Sequence, residues 1–273
     1  MPQELTDAIK LCFEEGVVAG LGDRIDTATL LQSDHLWEDE DAFALRALGQ
    51  LSMGLLYFWD WGGERDDEWL SARREWRRAI RNLLETQDEY DSPALIADNW
   101  EFVLDADEWD EARNNWRAVS HRPEPPKKQQ WVNDYMIEAI RDLLEEGTII
   151  WVGLRAVGER LASELSLPYY EGGTNPVLNG ESCIMSIKSH GTGLNLQMWS
   201  KNIIAHPMSD PATWEQLIAR THRTGQLADE VTVTVFTHGV FGSSFAKAVK
   251  QAKVIQESTS QPMRLAYADR ISI

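Results

Sequence analysis

The sequence lacks several features that would each indicate a class of protein. It has only two cysteines, Cys12 and Cys183, which exclude a disulfide framework and a cysteine zinc site. No apolar run approaches the roughly 20 residues that a membrane-spanning helix needs, and "MPQELTDAIK" does not have the layout of a signal peptide. We therefore expect no membrane contact and a location in the cytoplasm of whatever cell makes the protein.

The sequence also lacks a phosphate-binding loop. The pattern G-x-x-x-x-G-K-[ST] is absent, and the chain contains no Gly-Lys pair. Such a loop cradles the β- and γ-phosphates of a bound nucleotide. The absence excludes a phosphate-loop ATPase that is complete within this chain.

Acidic residues are abundant but unevenly placed. The net charge of the 273 residues is −18, and residues 1–120 hold 28 acidic against 11 basic side chains, a balance of −17. Eight of the twelve tryptophans fall in the same stretch. Because nucleic-acid binding depends on Lys and Arg neutralising phosphates, we do not expect residues 1–120 to grip DNA.

Residues 1–120 are predicted to be an acidic, Trp-rich helical region. Apolar residues recur at helical spacing, with helices expected over 4–15, 41–60, 66–85 and 105–118. The tryptophans admit two interpretations: core residues of a small helical bundle, or exposed anchors for a protein partner.

The stretch "HRPEPPKKQQ", residues 121–130, has three prolines and no apolar periodicity, which predicts a linker. Beyond it, residues 131–273 alternate between helical and β-rich segments. The predicted strands are 148–153, 182–187, 202–206 and 231–237, with a helix over 155–165 and others after the last two strands. This alternation predicts an α/β domain, a parallel sheet with helices on both faces.

A candidate phosphate-binding turn lies in "SIKSHGTGLNLQ", residues 186–197. A predicted strand runs into a Gly-Thr-Gly turn and then an apparent helix, whose first N–H groups would point outward from the sheet. In the alternative interpretation, Gly191 and Gly193 only make a tight turn, and Lys188 and His190 are ordinary surface residues.

A second candidate lies in "ATWEQLIARTHRTGQ", residues 212–226. Gln216, Arg220 and Arg223 follow one another at intervals of four and three residues, which predicts one face of a helix over 212–222. A row of guanidinium groups suits the charge that develops on a transferring γ-phosphoryl group. The alternative is the ordinary polar face of a helix that is buried on its other side.

In this order, the two stretches resemble motifs V and VI of the second RecA-like lobe of superfamily 2 helicases, in particular the Swi/Snf-like group of double-stranded DNA translocases. "KSHGTGLNLQ" is similar to motif V, and "TIIWVGLRAVGERLASEL" is similar to the strand and helix of motif IV. The resemblance covers about residues 131–240 and implies a RecA-like lobe over 131–273. The matches to motif VI are Gln216, Arg220, His222, Arg223, Gly225 and Gln226.

The resemblance implies a role for each motif residue. Arg223 would be the arginine finger that reaches the γ-phosphate of ATP, Arg220 a second phosphate or interdomain contact, and Gln216 an organiser of the same face. The residues expected at the cofactor cleft are Gly191, Gly193 and Asn195. Those expected to contact phosphates of double-stranded DNA are Ser189, His190 and Thr192.

The resemblance also implies that this chain supplies only half of an ATP site. ATP and Mg²⁺ would be shared with a separate chain that carries the first RecA-like lobe, as a helicase split between two genes would require, and no metal site is expected here. One departure from the family is that His206 and Ser209 stand where it usually carries Asp and Trp. The alternatives are a non-catalytic DNA- or protein-binding factor on a degenerate helicase lobe, and an unrelated α/β domain with chance matches.

Overall fold

The computed structural model describes residues 6, 17–18, 25–26, 48–86, 96, 107–191 and 193–268. The described residues fall into two compact units. The first, here called the α/β unit, lies within 1–27, 44–56 and 130–273. The second, here called the helical unit, lies within 28–43 and 57–129. The helix predicted for 4–15 lies, apart from Thr6, outside the described residues.

The early part of the chain differs from the helix predicted over 41–60. Strands β1 (Val17–Val18) and β2 (Ile25–Asp26) form an antiparallel pair. Residues 48–52 are helical, but strand β3 (Leu55–Trp59) follows. Gly54 separates the two with a φ of +75°, a conformation that ends a helix and that glycine adopts without strain. The aromatic residues after it favour a strand.

Two predicted helices of the helical unit are confirmed. Helix α1 (Asp67–Thr86) and helix α2 (Asp107–Val119) pack against each other. Asp66 caps α1, because its Oδ1 accepts a hydrogen bond from the Trp69 backbone N–H at 2.9 Å. Nη1 of Arg122 donates to both oxygens of Asp66 at 3.0 and 2.8 Å, which joins the end of α2 to the start of α1.

Where the structure describes the tryptophans of this region, they are mainly core residues. Trp59 and Trp69 are each 3% exposed and Trp76 is 7% exposed, which confirms the first of the two interpretations for these three. Trp37 and Trp100, like the side chain of Trp109, lie outside the described residues.

The proline-rich segment contains a strand where a linker was predicted. Strand β4 (Lys127–Trp131) pairs with β3, and the Asp60 N–H donates to the Pro126 carbonyl at 2.8 Å. The prolines all precede the strand, so the backbone N–H groups of "KKQQW" remain available for pairing.

The main sheet of the α/β unit has five parallel strands in the order β6-β7-β5-β8-β9. The predicted strands 148–153, 182–187, 202–206 and 231–237, the helix over 155–165 and the helices after the last two strands are confirmed within a few residues. Helix α3 precedes the sheet, and the elements run in the order α3 (Tyr135–Leu143), β5 (Thr148–Val152), α4 (Arg155–Leu165), β6 (Tyr169–Tyr170), β7 (Cys183–Ser186), α5 (Ile187–His190), β8 (Lys201–Ile204), α6 (Pro211–Thr221), β9 (Thr232–Val235), α7 (Val240–Thr259) and α8 (Arg264–Tyr267).

Strand β5 shows that helices cover both faces. Ile149 and Trp151 share one core cluster with residues of α6 and α7. Neighbouring residues of a strand point to opposite faces, so the fully buried Ile150 and Val152 point to the other side, and α4 contacts β5. The unit is therefore an α/β layer structure, as predicted. Because the strands are parallel, the loops after β7, β8 and β9 leave from the same edge of the sheet.

Candidate functional site

The loop after β7 differs from the predicted strand, turn and helix. Helix α5 comes directly after the strand and ends at the glycines, where the Gly191 N–H donates to the Ile187 carbonyl at 2.9 Å. Gly193 has a φ of +85°, and residues 193–200 are not helical. Leu196 is fully buried, and this anchors the loop in the core. No described helix begins at the glycine turn, so the expected helix N-terminus for a phosphate is absent there.

Helix α6 carries Gln216 and Arg220 but not Arg223. It begins after Asp210, whose carboxylate accepts from the N–H groups of Ala212 and Thr213. His222, with φ −91° and ψ 81°, leaves the helix. The prediction of one helical face for all three side chains is therefore wrong for Arg223, which lies in the following turn.

A buried hydrogen-bond network fixes the end of α6 on the sheet. Nε1 of Trp151 donates to Oδ1 of Asn202 at 3.1 Å. Nδ2 of Asn202 donates to Oγ1 of Thr221 and to the Thr232 carbonyl, both at 3.2 Å. Since Trp151, Asn202 and Thr221 are at most 2% exposed, these bonds are shielded from water. The last turn of α6 is thus tied to β5, β8 and β9.

Arg220 holds the loop after β7 against α6. Its Nε donates to the Gly191 carbonyl and its Nη1 to the Leu194 carbonyl, both at 3.3 Å. In return, the Leu196 N–H donates to the Arg220 carbonyl at 3.0 Å. The two stretches singled out in the sequence therefore meet in the structure, with Arg220 between them.

Two glutamines join the loop to the turn after α6. Nε2 of Gln197 donates to the Thr224 carbonyl. Nε2 of Gln226 donates to the Trp199 carbonyl at 2.8 Å and to the Thr221 carbonyl at 3.0 Å. Gly225 has a φ of +95°, a conformation that favours glycine, and Nε2 of Gln197 lies where a Cβ would be. Gln197 was not singled out in the sequence, where only its position after the glycines distinguishes it.

The other predicted cofactor and DNA residues lie around this junction. Ser189 is exposed, whereas His190 is 6% exposed and its Nε2 lies 3.0 Å from the Glu171 carbonyl oxygen. Gly191 is buried and Gly193 is exposed. Asn195 is exposed, and its Nδ2 donates to Oε1 of Gln197 at 2.9 Å. Thr192 lies outside the described residues.

Arg223 lines an open depression of about 320 Å³. The Arg223 side chain is exposed and makes no hydrogen bond or ion pair with the residues that the structure describes. Gln216 is exposed on α6. The lining residues are Ala219, Arg220, Arg223, Thr224 and Arg264.

Three guanidinium groups and one carboxylate set the electrostatics of this depression. Nη1 of Arg264 lies 3.3 Å from Oε2 of Glu215. Within the described part of the chain, neither Arg220 nor Arg223 has a carboxylate within 4.0 Å. Guanidinium groups match the geometry of phosphate oxygens, so the depression suits a multivalent anion.

His206 follows β8 at the position where the resembled family usually has Asp. Nδ1 of His206 is buried and has no hydrogen-bond partner among the described residues, and burial lowers the pKa of the imidazole. A Cβ on Gly153 would lie 2.9 Å from the ring. His206 is therefore a packed, neutral side chain. Among the described residues, no group of three or more His, Cys, Asp and Glu is placed to hold a metal ion.

Comparisons with solved structures give distant likenesses. No known family and no curated protein matches the sequence. Among solved structures, the crystal structure of the C-terminal part of the Fun30 ATPase domain matches with a TM-score of 0.42 and 18% identity, over 90% of this chain and 83% of that chain. Within the described residues, no helix is long and apolar enough to cross a membrane. The likeness is too distant to transfer an activity, a ligand or a partner.

Proposed function

We propose that this chain is the C-terminal RecA-like lobe of a Swi/Snf-like, ATP-dependent DNA translocase. Hydrolysis would require a first lobe on a separate chain. One observation carries the proposal: the loop after β7 and helix α6, which resemble motifs V and VI, are hydrogen-bonded together, with Arg223 exposed beside them. A surface arginine that lacks a carboxylate partner is suited to an incoming phosphate.

In this proposal, Arg223 contacts the γ-phosphate and stabilises the charge of the transition state. Arg220 acts mainly by position, because its guanidinium already holds the Gly191 and Leu194 carbonyls. Gln216, exposed one turn before Arg220, would organise the same face. Arg223 has the conformational freedom to reach an anion on another chain because it lies beyond the end of the helix.

The described residues provide one feature that a bound ATP requires, namely positive charge beside its terminal phosphate. Guanidinium groups line an open depression and match the oxygens of a terminal phosphate. Bound between the two chains, ATP would supply the phosphoryl group that is transferred to water. The partner chain would provide the phosphate loop and the acidic residues that hold Mg²⁺, while Gly191, Gly193 and Asn195 would border the shared cleft.

Double-stranded DNA would contact the same loop. Ser189 is exposed on α5, directly before the loop that Arg220 holds. Movement at the nucleotide cleft would therefore reach Ser189 through a short, hydrogen-bonded path. The phosphate contact expected for His190 is not proposed, because the ring is 6% exposed and its Nε2 already lies beside the Glu171 carbonyl. Thr192, the other residue expected to contact DNA phosphates, follows in the same loop of the sequence.

A second candidate function is a non-catalytic DNA- or protein-binding factor. Several side chains of the two motifs bind backbone carbonyls of this chain: Arg220, Gln197 and Gln226. These residues stabilise the fold whether or not a nucleotide is hydrolysed. Arg223 has no such role within the described residues, so it separates the two functions.

The deciding experiment is a DNA-dependent ATPase assay with a chain that carries a phosphate loop, the first choice being the product of a neighbouring open reading frame. We expect turnover only with both proteins and double-stranded DNA. Arg223→Ala should lower kcat by about 10³-fold, the size of effect that an arginine finger has.

Lys250→Ala, which removes one exposed charge from α7, is the matched control and should retain full turnover. Both variants should still assemble with the partner. Turnover that persists in Arg223→Ala would contradict the finger. Binding to DNA or to the partner with no turnover in any mixture would favour the second candidate.

A further inference from the structure

The depression beside Arg223 contains an arginine that belongs to neither motif. Arg264 lies in α8, far along the chain from Arg223, yet both line the same open space. It is 39% exposed at the side chain, so part of the guanidinium reaches solvent. The third positive charge of this surface therefore comes from a segment that the sequence patterns left unassigned.

Glu215 holds Arg264 in place. Its Oε1 accepts from the Leu265 backbone N–H at 2.9 Å, and its Oε2 lies 3.3 Å from Nη1 of Arg264. The Glu215 side chain is only 15% exposed, and Leu265 is 3% exposed within the main core cluster. One carboxylate of α6 thus fixes both the backbone and the side chain at the start of α8.

The charge balance around this depression is unusual for the chain. Acidic residues outnumber basic ones by 44 to 26, and Arg122, Arg155 and Arg160, for example, each have a carboxylate partner. Here three guanidinium groups line one depression, and within the described residues only Arg264 has a carboxylate partner, Glu215. Like charges placed close together repel one another, and an anion relieves that repulsion.

We propose that Arg264 is an anion-contacting residue that completes, with Arg223, a binding site for a phosphate group, and that Glu215 positions it. The inference rests on the proposed function, in which this phosphate is the terminal phosphate of ATP. Arg220 lines the site, but its Nε and Nη1 are engaged by carbonyls. The donors to the phosphate would come mainly from Arg223 and from the N–H groups of Arg264 other than the Nη1 that contacts Glu215. Two guanidinium groups from separate segments would grip one phosphate from two sides.

Titration of the whole chain with inorganic pyrophosphate, followed by calorimetry at low salt, tests the site without a partner or DNA. We expect saturable binding by the unmodified protein. Arg264→Gln should weaken it by about fivefold to tenfold, because one charge-assisted contact is lost. Arg264→Lys should fall between the two, since it retains the charge but not the planar fork.

Arg264→Gln leaves the hydrogen bond from the Leu265 backbone N–H to Glu215 in place, so we expect the fold to be preserved, and circular dichroism checks this. Lys250→Ala is the charge-matched control and should bind as the unmodified protein does. The inference is overturned by an unmodified protein that does not bind pyrophosphate, by Arg264→Gln binding unchanged, or by an equal loss in Lys250→Ala.

The experiments distinguish a failure of the anion site from a failure of the proposed function. If pyrophosphate binding depends on Arg264 but no mixture hydrolyses ATP, the anion site is supported and the proposed ATP-dependent function is contradicted. If ATP turnover is lost in Arg223→Ala but unaffected in Arg264→Gln, the proposed function is supported and the role of Arg264 at the ATP phosphate is contradicted.

Discussion

The tryptophans of the α/β unit and those of the helical unit are held in different ways. In the α/β unit every described buried indole has an acceptor: Trp151 donates to Asn202, Trp199 to the Glu181 carbonyl and Trp214 to the Met208 carbonyl. In the helical unit, Nε1 of Trp59, Trp61 and Trp69 is buried and has no partner among the described residues.

Ring packing takes the place of hydrogen bonds in the helical unit. Trp59 and Trp69 meet edge to face at 5.5 Å between centroids, and Trp61 approaches both at about 6 Å. The guanidinium of Arg73 lies 5.0 Å from the Trp59 ring centroid and 5.2 Å from that of Trp69. The comparison shows that fixed polar acceptors, supplied by β8 and by loops, orient the buried indoles of the α/β unit. Trp59, Trp61 and Trp69 depend instead on contact between rings, which is less directional.

Replacement of one tryptophan in each unit gives the largest expected contrast. Trp151→Phe should cost about 2–4 kcal/mol, because it leaves a cavity and strips Oδ1 of Asn202 of its donor. Trp69→Phe breaks no described hydrogen bond, so we expect about 1–2 kcal/mol from lost volume alone. Hydrogen exchange, measured on peptides from each unit, reports the two losses separately. Equal losses would show that the Asn202 contact contributes little.

Removal of one arginine from each unit gives the next contrast. Arg220→Ala leaves the Gly191 and Leu194 carbonyls without their donor and should cost about 1–3 kcal/mol. Arg122→Ala breaks exposed ion pairs with Asp66 and Glu68, so its effect should be smaller and should fade at high salt.

Arg220→Ala should show faster amide hydrogen exchange over 193–197. Arg122→Ala should show faster amide hydrogen exchange at the start of α1. Arg223→Ala is the matched control within the α/β unit, and because its side chain has no described partner, it should change stability by less than about 0.5 kcal/mol. Unchanged exchange in Arg220→Ala would contradict its role in holding the loop.

The stabilities of the two units should also depend differently on pH, and this is the smallest of the expected differences. Burial lowers the pKa of His206 and of His238 below 6.5, so the unfolded α/β unit binds protons before the folded one. Its stability should therefore fall as the pH drops from 6.5. Backbone and Arg122 hydrogen bonds lower the pKa of Asp66 from 3.8, so that contribution persists until the pH falls below about 3.8. Urea unfolding between pH 7.5 and 5 checks this window.

His206→Gln is the variant that sharpens the pH experiment. An amide does not titrate in this range, so the slope of α/β-unit stability against pH should become shallower. An unchanged slope would show that His206 is not the group responsible.

Local patterns in the sequence were enough to predict most elements of the α/β unit. Strand and helix periodicity depends on neighbouring residues, so β5, α4 and α6 were predicted within a few residues of their bounds. The helix predicted over 41–60 does not continue past Gly54, which takes a positive φ. The linker prediction was wrong for 127–130, because "KKQQW" pairs with β3. Both errors arise where a distant segment or a single backbone angle decides the structure.

The sequence by itself determined the alternation of strands and helices, the buried β-rich runs and the order of the two helicase-like stretches. Only the tertiary structure decided that Arg220 holds backbone carbonyls, that Arg223 lies beyond the helix, and that Arg264 joins the same depression through Glu215. Periodicity is encoded over a few residues, whereas the partner of a guanidinium is whichever acceptor the folded chain brings beside it. That choice depends on contacts between distant segments.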